Sequence, residues 1–177
     1  MNMIFFASSL ITVLFLITAC GDLNTASNFT PTKAKLDKYE ALEIYDFESA
    51  VPNFPKDALS KIPSDVEKLL SSKNNTFKEI KRGDIKDIPA DKTLVLLGEI
   101  TEYVPGSDFK FEGGAVKFGE VTLSLKLALV QKDNGREITR GDVTGFSSLG
   151  ILRKGYIGKS MYESLAEEIV KFIVESY

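Results

Sequence analysis

Glu120-Val121-Thr122-Leu123-Ser124-Leu125-Lys126-Leu127-Ala128-Leu129-Val130 is the stretch whose reading decides the fold. Apolar side chains hold every odd position, and Glu120, Thr122, Ser124 and Lys126 alternate with them. A period of two places the apolar set on one face of a pleated strand and the polar set on the other. Burying Val121, Leu123, Leu125, Leu127 and Leu129 stabilises by on the order of 8–15 kcal/mol as an upper bound, because denatured chains are already partly collapsed. The strand has a dry face, and the rest of the chain must cover it.

Downstream, Asp133-Asn134-Gly135 is the strongest turn signal, with Gly135 free to adopt positive φ. A three-residue loop there sets Leu125 opposite Val143 and Val130 opposite Ile138, with the returning strand over Arg136 to Phe146. Upstream, Thr93 to Val104 reads as a central strand, since Leu94-Val95-Leu96-Leu97 is apolar on both faces. Ala41 to Phe47 and Thr76 to Lys81 have the content of two further strands. The pattern from Asp57 to Lys73 is helical, and Pro63 predicts a short turn to Ile62 followed by a helix that starts at Pro63. Ser160 with Glu163 forms a capping box ahead of a second helix, in which Tyr162, Leu165, Ala166, Ile169, Phe172 and Ile173 share a stripe. The expected fold is α+β. It is a two-layer sandwich of a mainly antiparallel, mixed five-stranded sheet with two helices on one face, in the order β-α-β-β-β-β-α.

Composition narrows the function. The 177 residues are 44% hydrophobic and 27% charged, with net charge −3 and no histidine. No basic stripe is present, which argues against a nucleic-acid partner. Without histidine, Ser-His-Asp and Cys-His activation and imidazole-based zinc sites are excluded. Gly155-Tyr156-Ile157-Gly158-Lys159-Ser160 lacks the phosphate-loop spacing, because Arg153 stands where that motif needs glycine. Pairs such as Glu99 with Glu102, or Glu112 with Glu120, read as solvated carboxylates. A Ser–Lys dyad remains open as an alternative, with no motif to select its serine. We expect no cofactor, no metal and no catalytic residue, hence a protein that is not an enzyme; a periplasmic hydrolase with a Ser–Lys or paired-carboxylate site is the alternative.

The first segment reads as an address. Met1 to Ala19 has no charged side chain, Ile4 to Ile17 is almost continuously apolar, and the run ends in Leu16-Ile17-Thr18-Ala19-Cys20-Gly21. An apolar run closed by small residues is what a cleaved signal needs. The cysteine at that junction is unique in the chain, and the segment resembles the lipobox of bacterial lipoproteins. That resemblance implies a signal peptide over 1–19, a diacylated (palmitate-type) Cys20, and an anchor in the cell envelope, with outer membrane and periplasmic face expected. Polar residues without an apolar period then make 20–38 a lipidated tether, and 39–177 a single α+β domain.

Two further likenesses carry through the domain. Gly98-Glu99-Ile100-Thr101-Glu102-Tyr103-Val104-Pro105-Gly106, the alternating strand, the Asp133-Asn134-Gly135 turn, Gly145 to Ser148 and Leu165-Ala166-Glu167-Glu168-Ile169 resemble the bacterial lipoproteins grouped as domain of unknown function 4410. The strand order is similar to that of TolB-like and curli-secretion-channel lipoprotein domains. These resemblances imply an envelope lipoprotein of unassigned activity that binds or assembles with another envelope protein. The candidate contact surface is the aromatic connection after the third strand, with Tyr103, Phe109 and Phe111 as anchors.

Overall fold

The computed structural model describes residues 23–29, 36–73, 77–105, 110–112, 115–117, 121–147 and 157–176. The leader and Cys20 lie outside the described residues, as does Phe109. Two helices cover one face of a sheet, so the α+β two-layer reading holds. The sheet is wider than expected: among the described residues it has seven strands, not five.

Strand β1 is Leu23–Phe29, β2 is Ala41–Ile44, β3 is Glu48–Ser49 and α1 is Lys56–Ser71. They are followed by β4, Glu79–Arg82, and β5, Thr93–Val104. A separate hairpin pairs β6, Lys110–Glu112, with β7, Ala115–Lys117. The chain then returns through β8, Val121–Gln131, and β9, Glu137–Ser147, to α2, Ile157–Ser176. Across the sheet the order is β1-β9-β8-β5-β2-β4, with β3 continuing along β5 beyond β2. The strands from β1 to β5 in that row pair antiparallel, whereas β2, β3 and β4 join in parallel.

On β8 the odd residues Val121 to Leu129 are all buried and the even ones face outward, as the alternation requires. Their dry face meets Ala58, Ile62, Val66 and Leu70 of α1 and Met161, Leu165, Ala166, Ile169 and Ile173 of α2 in one core. Gly145 lets α2 sit close: a Cβ there would lie 3.1 Å from Leu165 Cδ2 and 3.3 Å from Met161 Cγ. The helix begins at Ile157, one turn ahead of the expected cap, so Ser160 is inside its first turn and Met161 is buried.

The tether reading fails over Leu23–Phe29. These residues pair with β9 from Leu23↔Ser147 to Phe29↔Gly141. Their Asn/Ser/Thr content hides a strand whose backbone groups are satisfied by a neighbour already in place. Helix α1 also differs from expectation, because it runs unbroken through Pro63. Proline has no N–H for the carbonyl four residues earlier, that of Leu59. Phe47 N–H donates to that oxygen at 2.9 Å, and the Arg82 guanidinium donates to the next one, Ser60 O, at 3.0 Å. The segment between β2 and β3 thereby takes over the bond that proline deletes.

The β8–β9 turn is one residue longer than expected. Gln131 and Arg136 close it through Gln131 N–H to Arg136 O at 2.9 Å, which leaves Lys132 to Gly135 as a four-residue loop. Gly135 has φ +67°. A bulge at Ile138 then takes up the extra residue, so Leu125 does face Val143, while Val130 faces Glu137 rather than Ile138.

Candidate functional site: the open face of the sheet

Among the described residues, the second face of the sheet is covered at one end only. There, the loop from Gly83 to Lys92 brings Ile85 over the sheet, and Ile85 and Val95 are buried outside the main core. A charged cluster fastens this loop. Glu43 on β2 is fully buried and accepts hydrogen bonds from Ile85 N–H at 2.7 Å, from Lys132 Nζ, and from the Tyr45 hydroxyl at 3.2 Å. Lys132 Nζ also donates to Asp84 Oδ1 at 2.6 Å and to Ile85 O at 2.8 Å. The Asp84 and Glu43 carboxylates push the Lys132 ammonium up to about 12, so it stays charged and is no general base at neutral pH. Burial, then the charge of Glu43, raises the Tyr45 hydroxyl, which therefore keeps its proton.

Beyond Tyr45 the face is uncovered, and a groove of about 840 Å³ opens across β5, β8 and β9. Strand register fixes its floor. One row reads Leu97–Ala128–Arg140 and the next Glu99–Lys126–Asp142. Leu97 on β5 is 44% exposed, and Tyr45, just past the end of β2, is 40% exposed. Glu48 and Asp46 stand at the β3 side, and Arg140 pairs with Glu137 at 3.6 Å on the other. The expectation that Leu94 to Leu97 is covered on both faces therefore holds through Leu96 and ends at Leu97.

Among the described residues, no serine, threonine or cysteine lines the groove. The hydroxyls of Ser49, Ser60 and Ser72 donate to backbone carbonyls, and that of Ser124 donates to Glu102 at 3.1 Å. Glu99 and Glu102 both stand on the open face, but Glu99 is opposite Lys126 while Glu102 holds Ser124. Among the described residues no group of three His, Cys, Asp or Glu is placed to hold a metal ion.

Of the residues singled out in the sequence, Phe109 lies outside the described residues. Tyr103 is half-buried and meets Phe54 edge-on, with ring centroids 5.1 Å apart. Phe111 is in β6, opposite Val116. Sequence reasoning missed the Tyr45–Leu97–Arg140 groove. The signal was available in the cross-strand register, which puts Leu97 with Ala128 on the polar face of β8.

No family model matches the chain, so the likeness to domain of unknown function 4410 stands on its residues alone. No curated protein matches it either. Solved structures do share the fold. A PelC dodecamer from Paraburkholderia phytofirmans, in a single-residue variant, is similar with TM-score 0.54 and 17% identity, over 87% of this chain and 100% of that one. Protein XCC0632 from Xanthomonas campestris, of the family DUF330, gives 0.53 and 12% over 81% and 87%. A neuraminyllactose-binding haemagglutinin homologue from Helicobacter pylori gives 0.51 and 10% over 82% and 86%. At these identities the likeness concerns the fold. Among the described residues no helix is long and apolar enough to cross a membrane.

Proposed function

We propose that this protein is a bacterial envelope lipoprotein, anchored through a diacylated Cys20 in the outer membrane on its periplasmic side, which works by binding an envelope protein and not by catalysis. The observation that carries the reading is the junction Thr18-Ala19-Cys20-Gly21, where an uncharged apolar run ends on the chain's single cysteine just ahead of β1. The open face supports the second half of it: the groove offers Tyr45 and Leu97 for desolvation beside fixed charges, and no nucleophile with a base. A folded protein partner with a protruding apolar side chain is the occupant this mixture suits.

The test is fractionation with mass analysis. The mature chain should carry acyl mass on Cys20 and band with outer-membrane markers, and Cys20→Ser should leave the precursor uncleaved or release the chain. Equal retention of a mature-length Cys20→Ser chain would overturn the anchor. For the binding half, Leu97→Asp should abolish crosslinking to envelope proteins while the melting temperature holds. Undiminished crosslinking would remove the groove from the proposal.

A further inference from the structure

Strand register lays a row of charges across the open face. Glu48 of β3 stands opposite Glu99 of β5, Glu99 opposite Lys126 of β8, and Lys126 opposite Asp142 of β9. Three carboxylates thus share one ammonium, and all four residues are exposed. Like charges set directly opposite on neighbouring strands destabilise a sheet. The arginines nearby are already engaged, Arg82 with Asp46 and Arg140 with Glu137. Among the described residues, neither Glu48 nor Glu99 forms a salt bridge.

The apolar floor of the groove lies one row away. Leu97 comes two residues before Glu99 on β5, so the two side chains share a face about 7 Å apart. Ala128 is opposite Leu97, and Tyr45, its hydroxyl donating to Glu43 at 3.2 Å, lines the same groove. An extended peptide rises by the same amount per residue, so its residues i and i+2 fall on one face at that spacing. A segment with an apolar residue and, two positions on, a Lys or Arg therefore meets both features at once. Its apolar group covers Leu97 while its cation enters between Glu48 and Glu99.

We propose that the groove takes an extended, cationic segment of a protein partner, with an apolar side chain on Leu97 and a Lys or Arg on the Glu48–Glu99 pair. This rests on the binding role proposed above for the open face, and names the chemistry of its occupant. The free protein is left with two opposed carboxylates, and the partner's cation relieves them on binding. Glu48 is then a specificity-determining residue, which selects a basic over an acidic segment.

The probes are fluorescein-labelled peptides, otherwise of Gly and Ser, in which a leucine is followed two positions on by Arg, Lys, Gln or Glu. Their binding to the full chain in detergent is read by anisotropy. The Arg and Lys peptides should bind about fivefold more tightly than the Gln peptide, and the Glu peptide least. That advantage should shrink as ionic strength rises. A peptide with Arg immediately after the leucine, on the opposite face, should bind no better than the Gln peptide. Glu48→Gln should reduce the Arg advantage while the melting temperature holds or rises, since it removes one of two like charges. Equal binding of the Arg and Gln peptides, or of the two Arg spacings, would overturn the proposal. So would an Arg advantage undiminished in Glu48→Gln, or no binding of any peptide. The groove itself is judged apart, by the crosslinking of Leu97→Asp to envelope proteins. If that crosslinking falls while the peptides are not told apart by charge, the groove stands and its cationic occupant does not. If the crosslinking is undiminished, both are overturned.

Discussion

The ring of Phe47 lies on Gly98: a Cβ built at Gly98 would stand 2.5 Å from Phe47 Cδ1 and 2.6 Å from Cε1. Phe47 belongs to the break between β2 and β3, and Gly98 to the middle of β5, opposite Leu127. Glycine there leaves the space in which a buried ring closes the core at the break between β2 and β3. Gly98→Ala should cost about 1–3 kcal/mol, because the ring is enclosed and must shift. Denaturant unfolding would measure it, and Gly98→Ala with Phe47→Leu should regain part of the loss. Equal stability of Gly98→Ala and the parent would mean that the ring moves freely.

Lys132→Met should destabilise by about 3 kcal/mol, since it leaves the Glu43 carboxylate buried without its cation. Adding Glu43→Gln should recover much of that loss, whereas two independent effects would simply add.

Two ionic groups with large shifts shape the dependence of stability on pH. Hydrogen bonds from Lys78 and then Lys92 hold Glu40 at about 2, below its ordinary 4.5. Its contribution is present above the ordinary value and is lost as pH falls from 4.5 through about 2. Glu40→Gln should flatten the melting temperature over that acid window. Lys132 is raised from 10.5 to about 12, so its contribution is intact below 10.5 and is lost as pH climbs through 12. Lys132→Met should reduce the alkaline fall and leave the acid contribution of Glu40 in place.

Pro63→Ala is expected to stabilise far less than the roughly 3 kcal/mol that proline costs inside an isolated helix. Leu59 O is already bonded by Phe47 N–H, so a new N–H at position 63 would compete for an occupied acceptor. A gain approaching the full amount in thermal unfolding would contradict that account.

Leu125→Asp should prevent folding, while Lys126→Ser should leave the circular dichroism spectrum and melting temperature nearly unchanged. Leu125 is fully buried and Lys126 exposed. An unpaired carboxylate in that core costs several kcal/mol, against a total stability of about 5–15 kcal/mol for a domain.

The sheet's dry face was legible because β8 writes its burial in alternate residues. The helical stripes were legible for the same reason. What escaped was whatever depends on a distant partner. Glu43 meets Lys132 across 89 positions of sequence, and nothing in Ala41-Leu42-Glu43-Ile44 announces a cation. Gly98 looks like any strand glycine until Phe47 is placed on it. Strand β1 has no hydrophobic rhythm, because an edge strand is recruited by backbone pairing. The turn was misjudged by one residue, and the bulge at Ile138 cancelled the error at Leu125.

Strand β1 also decides how the molecule carries load. It lies antiparallel to β9 over its whole length, from Leu23 to Phe29, and its first residue is the one next to the N-terminal segment. A pull entering through that segment runs along the strand axis. It therefore loads the backbone bonds to β9 together, as shear, and does not peel them one after another. This seven-residue strand thus acts as a mechanical clamp between the N-terminal segment and the core. Pulling at residue 21 against the C-terminus by force spectroscopy should give one high rupture event, and introducing Ala26→Pro, which removes a strand N–H, should lower it.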